Sequence, residues 1–245
     1  CWLCLIPASP EVIELDGAEV TVTVPRAGGA PTVRTLLAAT SLTLTEPRIA
    51  VIGANGSGKS TLLRLLNGLV LPGRGRVLVD GLDTRKDGRQ VRGLVGFVFT
   101  DPLAQLVLAT PADDVELSLR RSVRDKHERR SRALALLAGR GLGALADQSV
   151  YDLSGGERQL VALTSVLAAE PSIVVADEPT TLLDLRNRDS VRDALWALEQ
   201  QVVVATHDLD LAAEADRVIV VDSGEVVADD TAAVAIARYR ELMGA

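Results

Sequence analysis

Aromatic side chains make up only 2% of this 245-residue chain, although hydrophobic residues as a whole reach 47%. The core must therefore be assembled from Ala, Val, Leu and Ile, and 245 residues suffice for a substantial one. Cysteine is nearly absent. Cys1 and Cys4 stand at the extreme start, with no second pair and no nearby histidine to complete a metal site. Residues 1–10, broken by Pro7 and Pro10, are expected to be a disordered leader. No apolar run approaches the ~18 residues that cross a bilayer, so any membrane role is expected to be peripheral. A formal net charge of −7 argues against a surface that coats nucleic acid.

Glycine is plentiful where it counts. Gly53, Ala54, Asn55, Gly56, Ser57, Gly58, Lys59, Ser60 and Thr61 follow the apolar run Arg48–Ile52 and precede an apolar-rich helix start at Leu62. Strand, glycine-rich turn and helix in that order make this G-x-x-x-x-G-K-S pattern a phosphate-binding loop. Its backbone N–H groups and the helix N-terminus would face the phosphates. Lys59 would reach the β- and γ-phosphates, and the Ser60 hydroxyl would take a position on Mg²⁺.

Elsewhere the chain alternates between strand and helix patterns. Glu11–Val24 reads as a half-exposed antiparallel strand, Pro25–Pro31 as a hairpin loop, and Leu36–Thr45 as its return. Gly75–Gly81 and Leu94–Phe99 read as two further strands; from Asp101 to about Arg140 the period is helical, with one helix starting at Asp113 and another at Lys126. The basic stretch there (Arg120, Arg121, Arg124, Lys126, Arg129, Arg130, Arg132) is interleaved with acids, and is expected to be a solvated helix face. Strands resume at Ser172–Asp177 and Val202–His207, and a hairpin runs from Val218 to Val227, turning at Ser223-Gly224. Helical segments between the middle strands predict a mainly parallel sheet, hence an α/β fold.

Two further constellations carry chemistry. The apolar run Ile173–Ala176 ends in Asp177-Glu178, two carboxylates at the carboxyl end of a strand, where open parallel sheets bind ligands. Asp177 would hold Mg²⁺ beside Ser60, and Glu178 would orient or deprotonate an attacking water. In Leu153-Ser154-Gly155-Gly156-Glu157, Ser154 and Glu157 stand at capping-box spacing before an apolar-periodic helix. Two glycines in that first turn weaken a helix, and are explained if an anion must approach the backbone closely.

Taken together these motifs resemble the ATP-binding-cassette (ABC) ATPases, in the family's order, from about Ile13 to Val227. Residues 53–60 resemble the Walker A loop, 153–157 the signature, 173–178 the Walker B strand with its catalytic glutamate, Thr180–Asp184 the D-loop, and His207 the switch histidine. The resemblance implies a single ABC ATPase domain over 1–245, with an antiparallel β-region at its start and a helical subdomain over 101–160. It further implies catalytic roles for Glu178, His207, Lys59 and Asp184, with ATP and Mg²⁺ as ligands. The implied assembly is a head-to-tail dimer, identical or heteromeric, in which the phosphate loop faces the partner's Ser154, Gly155 and Gly156 turn.

Two positions depart from the family. Its adenine-stacking aromatic aligns with Val22, so adenine would rest on aliphatic surface. Its Q-loop glutamine aligns with Thr100, whose hydroxyl would reach Mg²⁺ less well, with Gln105 five residues on. Ala54-Asn55-Gly56, Asp101–Leu106 and Ala112–Val115 resemble the ATPases of energy-coupling-factor importers of the cobalt and biotin type, and Thr180–Arg188 looks most like the biotin-type members. That likeness implies an integral-membrane coupling protein and a substrate-binding membrane protein as partners, no nucleic acid, and work at the cytoplasmic face of a bacterial cell membrane. The alternatives are the ATPase of another ABC transporter class, or a nucleotide-binding module whose hydrolysis Thr100 impairs.

Overall fold

Runs of β-branched residues fix the centre of the molecule. Ile173–Asp177 and Gln201–Ala205 are buried at every position, as strands covered on both faces must be. The computed structural model describes residues 11–26 and 30–244; Cys1, Cys4, the expected leader and the middle of the 25–31 loop lie outside them.

In chain order the strands are β1 (Ile13–Val24), β2 (Thr32–Leu44), β3 (Arg48–Ile52), β4 (Arg74–Val79), β5 (Leu82–Asp83), β6 (Val95–Val98), β7 (Ile173–Asp177), β8 (Gln201–Ala205), β9 (Arg217–Asp222) and β10 (Glu225–Asp230). The helices are α1 (Lys59–Leu66), α2 (Gly88–Leu94), α3 (Pro111–Leu119), α4 (Lys126–Ala138), α5 (Gly155–Leu167), α6 (Leu185–Trp196), α7 (Leu209–Ala213) and α8 (Ala232–Met243).

Two sheets form. The larger has six strands in the order β10-β9-β3-β8-β7-β6, parallel from β9 to β6, with β10 antiparallel at one edge. Neighbouring β3, β8 and β7 therefore end at one edge, which brings the phosphate loop, His207 and Asp177-Glu178 together. The smaller sheet is antiparallel, in the order β2-β1-β4-β5. The antiparallel region expected at the start of the chain is thus completed by β4, which comes after the loop. The two strands expected at 75–81 and 94–99 join different sheets.

Three apolar clusters hold these layers. One fills the space around α1 between the sheets, with Leu62, Leu63, Leu65 and Leu66 packed against Ile13, Leu44 and Val79. A second lies on the opposite face of the large sheet, under α6, α7 and α8. The third, from Leu106 to Ala168, joins α3, α4 and α5. Helix α5 belongs to the last two, since Leu163 faces the sheet and Val161 and Ala162 face α3 and α4.

Helix starts differ from expectation by a few residues, each for a capping reason. Helix α3 begins at Pro111 rather than Asp113, because Thr110 caps it and proline suits the first helical position. Helix α1 begins at Lys59 rather than Leu62, since the loop runs straight into it. Several of the basic residues on α4 pair with acids: Arg130 with Asp113, Glu116 and Asp147, and Arg132 with Glu128.

Candidate nucleotide site

The loop after β3 is shaped by its glycines. Gly58 sits at φ 114, where a side chain is strained, and a Cβ there would lie 2.8 Å from the carbonyl oxygen of Leu36. As the N-cap of α1 it offers no side chain to the helix, so the first-turn N–H groups remain available to a ligand. Lys59 is 5% exposed; its Nζ donates to the carbonyls of Gly53 at 2.9 Å and Ala54 at 3.2 Å. A cavity of about 490 Å³ opens here, lined by Arg34–Leu36 of β2, Gly56, Gly58–Thr61, and Ser223-Gly224.

Across the loop stand the two carboxylates of β7. Ser60 Oγ donates to Asp177 Oδ1 at 2.8 Å, and Arg64 lies 3.6 Å from Asp177 Oδ2. Burial pushes the Asp177 carboxyl up from its usual range, against the pull of Ser60 and Arg64. A divalent cation would favour the charged form. Two hard oxygens, one of them a buried carboxylate, are what Mg²⁺ takes from protein when phosphates and water complete its shell. The donor set fits Mg²⁺.

Glu178 leaves the strand at φ 50, an uncommon conformation for a residue with a side chain, and its N–H donates to Ala205 of β8 at 2.9 Å. This turn swings the carboxylate between two groups. Oε1 lies 3.4 Å from Lys59 Nζ, while Oε2 is 2.7 Å from His207 Nδ1 and accepts from Thr181 Oγ1 at 2.8 Å. Lys59, Ser60, Asp177, Glu178 and His207, drawn from two strand ends and one helix start, thus form one cluster.

Other expected residues go elsewhere. Thr100 Oγ1 donates to the backbone carbonyl of Asp177 at 2.7 Å, so it tethers the loop after β6 to the Walker B strand instead of standing as a free oxygen. Gln105 does not substitute for the missing glutamine: it accepts from the Phe99 N–H and donates to the Ala162 carbonyl. Asp184, expected in catalysis, caps α6 and accepts from the N–H and Nδ2 of Asn187. Val22 is not among the cavity's lining residues; Arg34, its partner in register, is.

At the signature turn the full capping box is present. Ser154 Oγ accepts from the Glu157 N–H, and Glu157 Oε2 accepts from the Ser154 N–H at 2.8 Å, which holds the Glu157 carboxyl below its usual range. Gly156 has a reason that the sequence did not reveal. A Cβ there would meet Asn187 at 2.4 Å, so the glycine lets α6 pack against the start of α5. Arg64 and Arg34 were missed from sequence, and Thr181 was read only as part of the D-loop stretch; of the two missed, only Arg64, one helical turn after Ser60, carried a periodic signal.

Comparison with known proteins agrees with this geometry. The ABC transporter family matches residues 37–181. The biotin transport ATP-binding protein BioM of Rhizobium etli is 47% identical over 209 residues, covering 85% of this chain and 93% of that protein. The energy-coupling factor transporter ATP-binding protein EcfA1 of Halalkalibacterium halodurans is 40% identical over 193 residues, covering 76% and 69%. Among solved structures, a dimeric post-hydrolysis ATP-binding cassette bound to ADP and Pi superposes with a TM-score of 0.78 at 31% identity, covering 90% of this chain and 98% of that one. The cbiO1 protein of Clostridium perfringens, part of the ABC transporter complex cbiONQ, gives 0.78 at 27% identity, covering 96% and 94%. Family match, relatives and the clustered strand ends agree: the chain belongs to the ABC transporter ATPases, as an ATP-binding and ATP-hydrolysing cassette.

Proposed function

We propose that this chain powers a membrane importer for a vitamin or transition-metal ion, of the energy-coupling-factor type. It would work as a peripheral subunit at the cytoplasmic face of a bacterial membrane, beside a coupling protein and a substrate-binding membrane protein. The relatives named for biotin transport and for energy-coupling factors support the importer class. The observation that carries the ATPase role is the Glu178 carboxylate, held between Lys59 and His207 at the mouth of the phosphate loop.

In this reading Ser60 and Asp177 would hold Mg²⁺, which would supply positive charge beside the phosphates. Gly53, Asn55, Gly56, Ser57, Gly58 and Thr61 wrap the phosphates through their backbone, and Lys59 turns from Gly53 and Ala54 onto them. Glu178 orients the attacking water, and His207 keeps the Glu178 side chain aimed while reaching toward the γ-phosphate. A second cassette, identical or related, closes the site with its Ser154–Gly156 turn. Exposed Leu182, 71% accessible, lies near that turn in space and Tyr151, at 74%, lies near it in sequence; both suit burial in such a dimer. The chain acts as one cassette throughout, with the helices of 101–160 as its partner-facing subdomain.

Glu178→Gln tests the assignment. It should leave Mg-ATP binding intact, slow hydrolysis about 100-fold or more, and accumulate an ATP-bound dimer on size exclusion. Normal turnover in that variant would remove Glu178 from the chemistry. Co-purification with a membrane coupling protein, and ATP-dependent vitamin uptake on co-expression, test the importer class.

A further inference from the structure

The wall of the nucleotide cavity contributed by β2 has a charge with no assigned task. Arg34 lines the cavity, is exposed, and makes no ion pair or side-chain hydrogen bond among the described residues. The residues outside the described ranges include no Asp or Glu, so no side-chain carboxylate there can engage it.

Its location is set by an irregularity in the small sheet. Val20 pairs with Leu37 but Thr21 with Thr35, which leaves Leu36 as an extra residue on β2. The bulge presses the Leu36 carbonyl toward Gly58 and Gly224. Arg34, two residues farther out, stands about 7 Å along the strand from that contact. It is directly opposite Val22, so the two side chains share one face of the ribbon. A triphosphate held on residues 53–61 would leave its base beyond the loop, and none of the chain's described aromatics lines the cavity there. Phe97 and Phe99 pack on each other, and Trp196 and Tyr239 pack against the core under α8.

We propose that Arg34 is the base clamp of this nucleotide site, its guanidinium plane stacking on the purine beside the aliphatic surface of Val22. A guanidinium is planar and weakly hydrated, and it is attracted to the face of an aromatic ring. It supplies the flat surface that the chain's scarcity of aromatics denies. The proposal rests on the nucleotide reading of residues 53–61.

The test is titration of the full chain with Mg-ATP, Mg-ADP and magnesium tripolyphosphate, which lacks a base. Arg34→Ala should weaken both nucleotides about tenfold and leave tripolyphosphate unchanged. Arg34→Tyr should restore nucleotide affinity, and Arg34→Lys should not. Unchanged nucleotide affinity in Arg34→Ala overturns the proposal. So does an equal loss for tripolyphosphate that Arg34→Lys rescues, since that is the behaviour of a phosphate contact. Wild-type protein that bound no Mg-ATP would instead overturn the nucleotide reading itself, so the two failures are distinguishable.

Discussion

The phosphate loop and the signature turn are both glycine-rich entries to helices, yet they are built in opposite ways. At the loop, Gly58 leaves α1 uncapped, and the groups around it are buried or half-buried and turned toward one another: Lys59 on its own loop and on Glu178, Ser60 on Asp177. At the turn, Ser154 and Glu157 cap α5 reciprocally, and Ser154 is exposed. A helix start left unsatisfied by its own chain is a receptor; one that satisfies itself can present its surface to a neighbour. The difference fits the proposed assembly, in which one chain forms the nucleotide pocket and a second chain's turn closes it.

The sharpest break of this comparison is a pair of substitutions. Lys59→Ala should abolish Mg-ATP binding by the single chain, an affinity loss of about 100-fold or more, as expected for removing one partner of a buried charge contact. Ser154→Asp keeps a good N-cap but sets a negative charge where the partner's triphosphate would dock. It should leave single-chain nucleotide binding and thermal stability near wild type, while abolishing ATP-driven association and turnover. Ser154→Asn, an equally good but neutral cap, should retain part of both. ATP-driven dimers persisting in Ser154→Asp, seen by light scattering, would sink the head-to-tail arrangement.

A middle-sized effect concerns Gly156. Its neighbour Asn187 leaves no room for a methyl group, so Gly156→Ala should lower stability by about 1–3 kcal/mol, measured by denaturant unfolding. Asn187→Ala in the same chain should recover much of that loss, giving a clear interaction energy in the double-mutant cycle. If Gly156→Ala were neutral by itself, glycine would be needed there only for the approach of a partner's phosphate, and packing against α6 would be the wrong reason.

How far the sequence led depends on which forces acted. The loop, the Asp177-Glu178 pair and the Ser154 box were legible because each is a local pattern whose chemistry lies within a few residues. The central sheet was legible from its valine runs. What stayed hidden depended on distant partners. Gly75–Gly81 reads as a strand, but only pairing with β1 decides that it belongs to the antiparallel sheet. Helix α8, alanine-rich and weakly patterned, exists because Ala235 and Ile236 bury against the large sheet. Thr100 looked like a shortened metal ligand until the Asp177 carbonyl was found to accept its hydroxyl. Arg34 became a site residue only through the bulge at Leu36, which no periodicity announces.

The smallest effect sharpens the contrast in capping. Glu157 has its carboxyl held below the ordinary value of 4.5, first by the backbone N–H of Ser154 and then by the Ser154 side chain. A depressed folded-state value means that the unfolded chain binds the proton more readily, so the stabilisation is present above 4.5 and is lost as pH falls through the depressed value. Glu157→Gln keeps an acceptor for the Ser154 N–H but removes the charge that favours a helix N-terminus. The variant should be less stable at neutral pH by about 0.3–1 kcal/mol. The gap between variant and wild type should close as melting curves are taken at progressively lower pH. No comparable pH-dependent cap exists at the phosphate loop, because Gly58 has no side chain to titrate. A gap that stayed constant down to acid pH would mean that Glu157 contributes packing rather than charge, and that the signature turn does not owe its rigidity to the reciprocal cap.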